Sequence, residues 1–396
     1  MKVVVVGYGS RGDVEPCAAV ARELQRRGHD VRMAVAPDRL ALVEAAGLDA
    51  VAYGPDTRER MGAFAKVVAH VPNPISALPE VMEQLTRTWA AKSETLTSLA
   101  PGADVLLAGM NEQELVANVA ERQGIPLAGV HFFPSQILSS GVLQAGMTRE
   151  AANVQRRALG LAETTEAAPV ALEIQAYEDF CLPGLADSWG DAAARRPFVG
   201  GLTLELPTDD DDEVSAWIAA GTPPICFGLG GTPIASPAET AGMIGAACGQ
   251  LGERALICAG PNDFGGAPRF DHVRVVAAVN HAAVLPACRA AVHHGGAGTT
   301  AAGMRAGIPA VVLWLWLDQP TWAAALQRLG IGSGRPFSAT TTDSLVADLR
   351  SILTPECAAR AREVAARMTP APESAASAAD LVEGVAAGRR PGRQRG

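Results

Sequence analysis

Twice in this chain a short run of aliphatic residues passes straight into a glycine-bearing turn and then into an alanine-rich stretch. The first is Val3 to Val6 followed by Gly7, Gly9 and Gly12. The second ends in His293, His294, Gly295, Gly296, Ala297, Gly298, Thr299 and Thr300. A strand that turns directly into a helix is the repeating unit of a parallel sheet covered by helices on both faces. The alternation extends over both halves: strands are expected near 3–6, 31–36, 103–108 and 127–131, then near 225–229, 255–259, 273–277, 290–293 and 309–314. Cys17, Val20, Ala21 and Leu24 give the first helix an apolar face, and Gly28 closes it.

A chain of 396 residues exceeds what one core usually supports. Two doubly wound α/β domains are expected, residues 1–205 and 223–375, with a cleft between them as the natural ligand site. The linker is placed at 206–222, where Asp209 to Asp212 and Gly221-Thr222-Pro223 break the alternation. Adjacent carboxylates diverge and repel, so the acidic run reads as a solvated loop or helix N-terminus and not as a metal site. Residues 376–396 are expected to finish a helix near 373–387 that returns to the first domain, followed by a disordered tail carrying Arg389, Arg390, Arg393 and Arg395. That tail reads as a solvated end, with contact to an anionic membrane as its alternative.

A formal charge of -9 and a pI near 5.4 argue against a nucleic-acid partner, which needs a concentrated basic face. Seven cysteines, scattered without CxxC spacing, read as reduced core thiols, with neither disulfide framework nor zinc site implied. The opening apolar run is too short for a signal peptide, and Ile308 to Leu317 falls short of the ~20 residues a bilayer requires. A cytoplasmic location is expected. Between 56 and 101 the pattern turns irregular and helical, and Met61, Phe64, Val67, Val68, Leu78, Met82, Leu85 and Trp89 offer apolar surface for core packing or a pocket wall.

The second turn can hold a diphosphate without a metal. Glycines admit an anion to the backbone, the helix N-terminus attracts it, and an imidazole adds a donor. Asp318 and Gln319 follow the strand near 309–314, at the end where open α/β sheets bind ligands. The first turn has the GxGxxG spacing of dinucleotide sites, but Asp13 and Glu15 occupy the helix N-terminus where a pyrophosphate would lie, and two carboxylates there oppose it. Asp13 is either a helix cap or a general base.

Gly9-Ser10-Arg11-Gly12-Asp13-Val14-Glu15-Pro16, then His293-His294-Gly295-Gly296-Ala297-Gly298-Thr299, then Asp318-Gln319-Pro320, in that order and spacing, resemble the actinobacterial antibiotic and glycolipid glycosyltransferases of the GT-B fold. The likeness covers almost the whole chain. It extends to the vancomycin-group enzymes and, around Glu173-Ile174-Gln175-Ala176-Tyr177, to mycobacterial glycopeptidolipid-type transferases. The resemblance implies two Rossmann-like domains and an inverting, metal-independent, cofactor-free transfer of a hexose or deoxyhexose from a dTDP- or UDP-sugar to a hydroxyl of a lipophilic acceptor. By position it implies Asp13 as base, with Ser10 and Arg11 shaping that loop on the donor side. His293, Gly295, Gly296, Ala297, Gly298 and Thr299 would hold the diphosphate, and Asp318 and Gln319 the sugar hydroxyls. Met61, Phe64, His131 and Phe132 fall on the acceptor side.

The chain departs from the family in places. Gly228-Leu229-Gly230-Gly231-Thr232 stands where many relatives carry serines, leaving Thr232 as the hydroxyl there. Ala301 and Ala278 replace the Glu and stacking Trp of plant-type members, so base and ribose recognition falls to Val279 and backbone groups, which favours dTDP. A sugar-nucleotide epimerase on the same fold, or a silent sugar-nucleotide-binding protein, is the rival reading. The sugar, the acceptor and the oligomeric state stay open.

Overall fold

A computed structural model describes residues 1–57, 78–140, 142–166 and 170–388. The chain divides into two compact units: Met1–Ala176, Gly184–Leu204 and the chain from Ala371 form one, and Tyr177–Pro183 with Glu205–Pro370 form the other.

The first unit is built on six parallel strands: β1 (Lys2–Gly7), β2 (Asp30–Val35), β3 (Asp49–Ala52), β4 (Val105–Gly109), β5 (Leu127–His131) and β6 (Leu172–Gln175). Their order is β3-β2-β1-β4-β5-β6. β1 sits at the centre, with Val3 paired to both Val31 and Val105, and Val3 to Val6 are wholly buried. Successive side chains point to opposite faces, so a run of four valines requires cover on both sides. Val4 and Val6 pack with Leu96, Leu115, Val116 and Val119 from the helices Leu78–Leu99 and Gln113–Gln123. The helix Arg11–Arg26 packs on β1 and β2, with Cys17, Val20, Ala21 and Leu24 all buried. Each such aliphatic side chain contributes about 1.5–3 kcal/mol on full burial. The last helix, Ala371–Ala386, belongs to this unit and lies on Arg11–Arg26. Arg27 reaches Asp380 at 2.6 Å and His29 reaches Glu383 at 2.9 Å.

The second unit repeats the plan with β7 (Ile225–Gly228), β8 (Ala255–Cys258), β9 (Val273–Val276), β10 (Ala290–His293), β11 (Ala310–Trp314) and β12 (Gly332–Pro336), in the order β12-β11-β10-β7-β8-β9. Ile225, Phe227, Ile257, Val292, Val311 and Leu313 pack with Ile244, Leu345 and Leu349 of the helices Pro237–Leu251 and Thr342–Ile352. Each sheet has the Rossmann-like order, which reverses direction beside its first strand.

Three strands are not among those expected: β3, β6 and β12. All are sheet edges, where a strand has one neighbour and needs no continuous apolar run. Residues 206–222, expected as a linker, carry the helix Asp211–Ala219, which is part of the second unit. The Asp211 carboxylate accepts from the Thr208 amide, the Thr208 hydroxyl and the Asn280 amide, each at 2.8 Å. Asp210 Oδ2 also accepts the Ala277 amide at 3.2 Å, so the acidic run is a helix start with two anchoring carboxylates. The basic tail from Arg389 lies outside the described residues. All seven cysteines are free, and no helix among the described residues is long and apolar enough to cross a membrane.

Candidate functional site

In the first unit, β1 and β4 are neighbours, and the chain leaves them in opposite directions. The loops beyond their carboxyl ends therefore diverge and leave room at that edge. Asp13 stands there, at the third position of the helix that Ser10 caps. Its Oδ2 accepts the Ser10 amide at 2.6 Å and the Ser10 hydroxyl at 2.7 Å. Its Oδ1 accepts the side-chain amide of Asn111, from the loop after β4, at 2.7 Å. These bonds show the capping alternative that the sequence offered for Asp13. A carboxylate offers about four acceptor positions, and three donors engage this one. Burial pushes its pKa above the ordinary value, opposed by the Ser10 and Asn111 hydrogen bonds, and the nearby Glu112 anion adds to the rise. Asn111 was not foreseen; the only sequence signal is its place just past a buried strand.

The turn tolerates no side chain at Gly9. Its φ is +134°, and a Cβ there would lie 2.4 Å from Asp13 Oδ2. Gly9→Ala should lower stability by about 1–3 kcal/mol and move Asp13. Thermal denaturation reads the first effect, and an unchanged Tm would mean that the turn does not hold this shape. Ser10 and Arg11, expected on the donor side, are engaged within this unit: Ser10 on Asp13, and Arg11 Nε on Glu15 Oε2 at 2.6 Å. The other Glu15 oxygen accepts the Leu204 amide at 2.8 Å.

His131 ends β5 and is 4% exposed. Its Nε2 lies 3.0 Å from the Gln113 side-chain nitrogen and 3.7 Å from Glu173, which Arg196 holds at 3.0 Å. With the Gln113 amide donating, the proton resides on Nδ1, a buried atom with no hydrogen-bond partner among the described residues. Burial lowers the pKa to about 4 against the pull of Glu173, so the ring is neutral. Phe132 follows, buried edge-on against Phe133 at 5.2 Å. Met61 and Phe64 lie outside the described residues.

In the second unit, the chain diverges beyond β7 and β10. His293 closes β10 and is 2% exposed. Its Nδ1 accepts the Gly295 amide at 3.0 Å, which puts the ring proton on Nε2. That nitrogen is buried with no partner among the described residues. Burial, with smaller effects from His294 and His281, lowers the pKa to about 3. The imidazole is therefore a neutral donor. Gly295 has φ +90°, and a Cβ would meet Val312 Cγ1 at 2.6 Å. Gly296 caps the helix Ala297–Arg305, whose first amides have no carbonyl one turn back to bond. His294 is structural: its ring donates to the Gly228 carbonyl and fills the space that a Cβ on Gly230 or Gly296 would need.

Asp318 and Gln319, expected to face sugar hydroxyls, are only 8% and 4% exposed. Asp318 Oδ2 accepts the Trp322 indole at 2.7 Å, and Gln319 Oε1 accepts the Leu315 and Trp316 amides at 2.7 and 3.2 Å. They brace the turn after β11. Its outward side is Trp316 and Leu317, about half exposed, with Leu317 at φ +56°. Gln319 also lies against Gly295, so this turn and the His293 turn form one surface. Thr232 and Val279 are buried. Asn262 ties the Thr232 loop down, donating to the Thr232 carbonyl at 3.1 Å and accepting the Ile234 amide at 2.8 Å.

Residues 3–134 match the glycosyltransferase family 28 N-terminal domain, and residues 263–384 match the erythromycin biosynthesis protein CIII-like C-terminal domain. The uncharacterized glycosyltransferase Rv1524 of Mycobacterium tuberculosis is 53% identical, with 98% of this chain and 99% of that protein covered. Glycosyltransferase GtfE of Amycolatopsis orientalis is 30% identical over 99% of each. In fold, the chain is similar to the calicheamicin glycosyltransferase CalG4, with a TM-score of 0.72, 18% identity, and 97% of this chain and 98% of that one covered. It is also similar to the glycosyltransferase VinC in complex with dTDP, with a TM-score of 0.70, 20% identity, and 98% and 100% covered. Two parallel sheets of this order, the two turns at their carboxyl edges and full-length identity of this degree lead to one conclusion: the chain belongs to the GT-B glycosyltransferases of the family 28 and erythromycin CIII-like type.

Proposed function

We propose that this enzyme moves a hexose or deoxyhexose from a dTDP- or UDP-sugar to a hydroxyl of a lipophilic natural product or glycolipid, with inversion and without a metal ion. The observation that carries the reading is the buried Nε2–H of His293, without a partner among the described residues, beside a glycine-capped helix N-terminus. Neutral donors of this kind suit a pyrophosphoryl oxygen. VinC, solved with dTDP, supports a nucleoside diphosphate as the ligand class.

In the proposed step, the acceptor oxygen forms a bond to the anomeric carbon while the bond from that carbon to the diphosphate breaks. The hydroxyl proton passes to Asp13. Charge on the departing diphosphate is met by the amides of Gly296, Ala297, Gly298 and Thr299 and by His293 Nε2–H. Attack opposite the leaving group inverts the anomeric centre. His131 and Phe132 are assigned to the acceptor, where the Nδ1–H of His131 would donate to an oxygen of the aglycone. The reaction is placed in the cytoplasm.

A mass-spectrometric screen of dTDP- and UDP-sugars against polyketide, glycopeptide and lipid aglycones tests the reading, with a product one sugar heavier as the expected result. Conversion of donor alone into its epimer, or nucleotide binding without any product, would replace it by one of the two rivals. The rate in EDTA should equal the rate with added Mg²⁺. An EDTA loss that Mg²⁺ restores overturns the metal-independent step.

A further inference from the structure

The first unit buries a charge pair beside Asp13 that the proposed step does not use. Lys92 Nζ lies 2.7 Å from Glu112 Oε1, with the two side chains 4% and 6% exposed. The Tyr53 hydroxyl donates to the other Glu112 oxygen at 2.8 Å. The ammonium also sits over the Tyr8 ring, 3.3 Å from its centroid. Burying two opposite charges costs several kcal/mol per ion, and well-packed apolar residues often do as well or better. The pair therefore calls for a purpose besides stability.

We propose that Lys92, Glu112 and Tyr53 are positioning residues that hold Asn111 against Asp13 and set the charge beside that carboxylate. Three elements converge on Glu112: the helix Leu78–Leu99, the end of β3 and the loop after β4. That loop is a single turn, closed by the Glu112 amide on the Gly109 carbonyl at 2.9 Å. Glu112 begins the next helix, its carbonyl accepting the Val116 amide at 3.0 Å. Asn111 lies between two fixed points, the end of β4 and the tethered Glu112. Its side chain then has one short reach, to Asp13 Oδ1 at 2.7 Å.

The charge relation runs through the same residue. The charged and titratable groups that act with Asp13 are Glu112, from the loop after β4, and the Cys17 thiol one turn on; Arg11 is engaged by Glu15, and Arg39 bonds the Gly9 carbonyl at 3.1 Å. Glu112 opposes ionisation of Asp13, and Lys92 holds Glu112 at 2.7 Å. The value of this cluster to the reaction rests on Asp13 being the base.

The test is a ¹³C NMR titration of protein labelled at the aspartate carboxyls, with the Asp13 signal assigned by its absence from Asp13→Asn. Side-chain amide signals are read in ¹⁵N-labelled protein, with Asn111 assigned by its loss from Asn111→Ala. Glu112→Gln removes an anion, so the Asp13 midpoint should fall by about half a unit or more, and the Asn111 amide signal should shift. Lys92→Met with Glu112→Gln leaves no unpaired buried charge and carries the test if the single variant fails to fold: the Asn111 signal should shift, and the Asp13 midpoint should fall by less than in the single variant, because a cation leaves with the anion. An unmoved midpoint and amide, with only Tm reduced, would reduce the cluster to core support. Retained transfer by Asp13→Asn would instead remove the base assignment and leave the NMR result standing.

Discussion

Replacing Asp13 by Asn should abolish sugar transfer, lowering kcat by at least about 10²–10⁴-fold, while UDP or dTDP still binds. The substitution keeps the shape and exchanges a proton acceptor for a group that cannot take the hydroxyl proton. Stability separates this from misfolding. Burial raises the Asp13 pKa in the folded protein above its unfolded value. Between the two values the folded state holds the extra proton, so stability falls as pH rises through that window, and at neutral pH the ionised carboxylate is a cost to folding. Asparagine removes that cost and gives up one of three hydrogen bonds. The variant should then be inactive with a Tm at pH 7 close to that of the parent. For the same reason the acid limb of kcat/KM should lie above the usual carboxylate range of about 4. Undiminished turnover by Asp13→Asn would remove the residue from the mechanism.

The parts of this molecule that were legible in the sequence are those where one local force decides. Val3 to Val6 and Ala310 to Trp314 are continuous apolar runs, and such runs make central parallel strands. Asp49–Ala52, Leu172–Gln175 and Gly332–Pro336 became strands because a neighbouring edge offered its hydrogen bonds, which no periodicity announces. The site divides along the same line. Asp13 and His293 are visible because a glycine turn places each at a strand's end. Asn111, Lys92 and Tyr53 reach Asp13's surroundings through tertiary pairing between residues 98, 20 and 59 positions apart in sequence. Asp318 and Gln319 were placed by a motif, and the bonds they make to Trp322 and to the backbone of Leu315 and Trp316 appear only in the fold. What that turn exposes is apolar, and nothing in the letters Asp-Gln-Pro discloses it.

His293→Ala should weaken binding of UDP or dTDP about 10- to 100-fold by calorimetry, the range expected on losing one hydrogen bond to a charged group. The ring's two nitrogens do different work. Nδ1 accepts the Gly295 amide at 3.0 Å and so holds the turn, whereas Nε2–H, without a partner among the described residues, is the donor assigned to the diphosphate in the proposed step. Alanine removes both, so part of the loss is a loosened turn, seen as a lower Tm. His293→Gln, which keeps a side-chain N–H donor, should recover part of the affinity. The sign of the pH effect follows from burial, which lowers the pKa to about 3. At pH 8 and at pH 6 the free protein presents the same neutral donor, and the penalty for alanine should be equal at both. A penalty that grew tenfold on acidification would mean that the bound diphosphate protonates the ring. Equal affinities of parent and variant, with the variant folded, would mean that the diphosphate binds elsewhere, and the proposed step would lose its leaving-group partner.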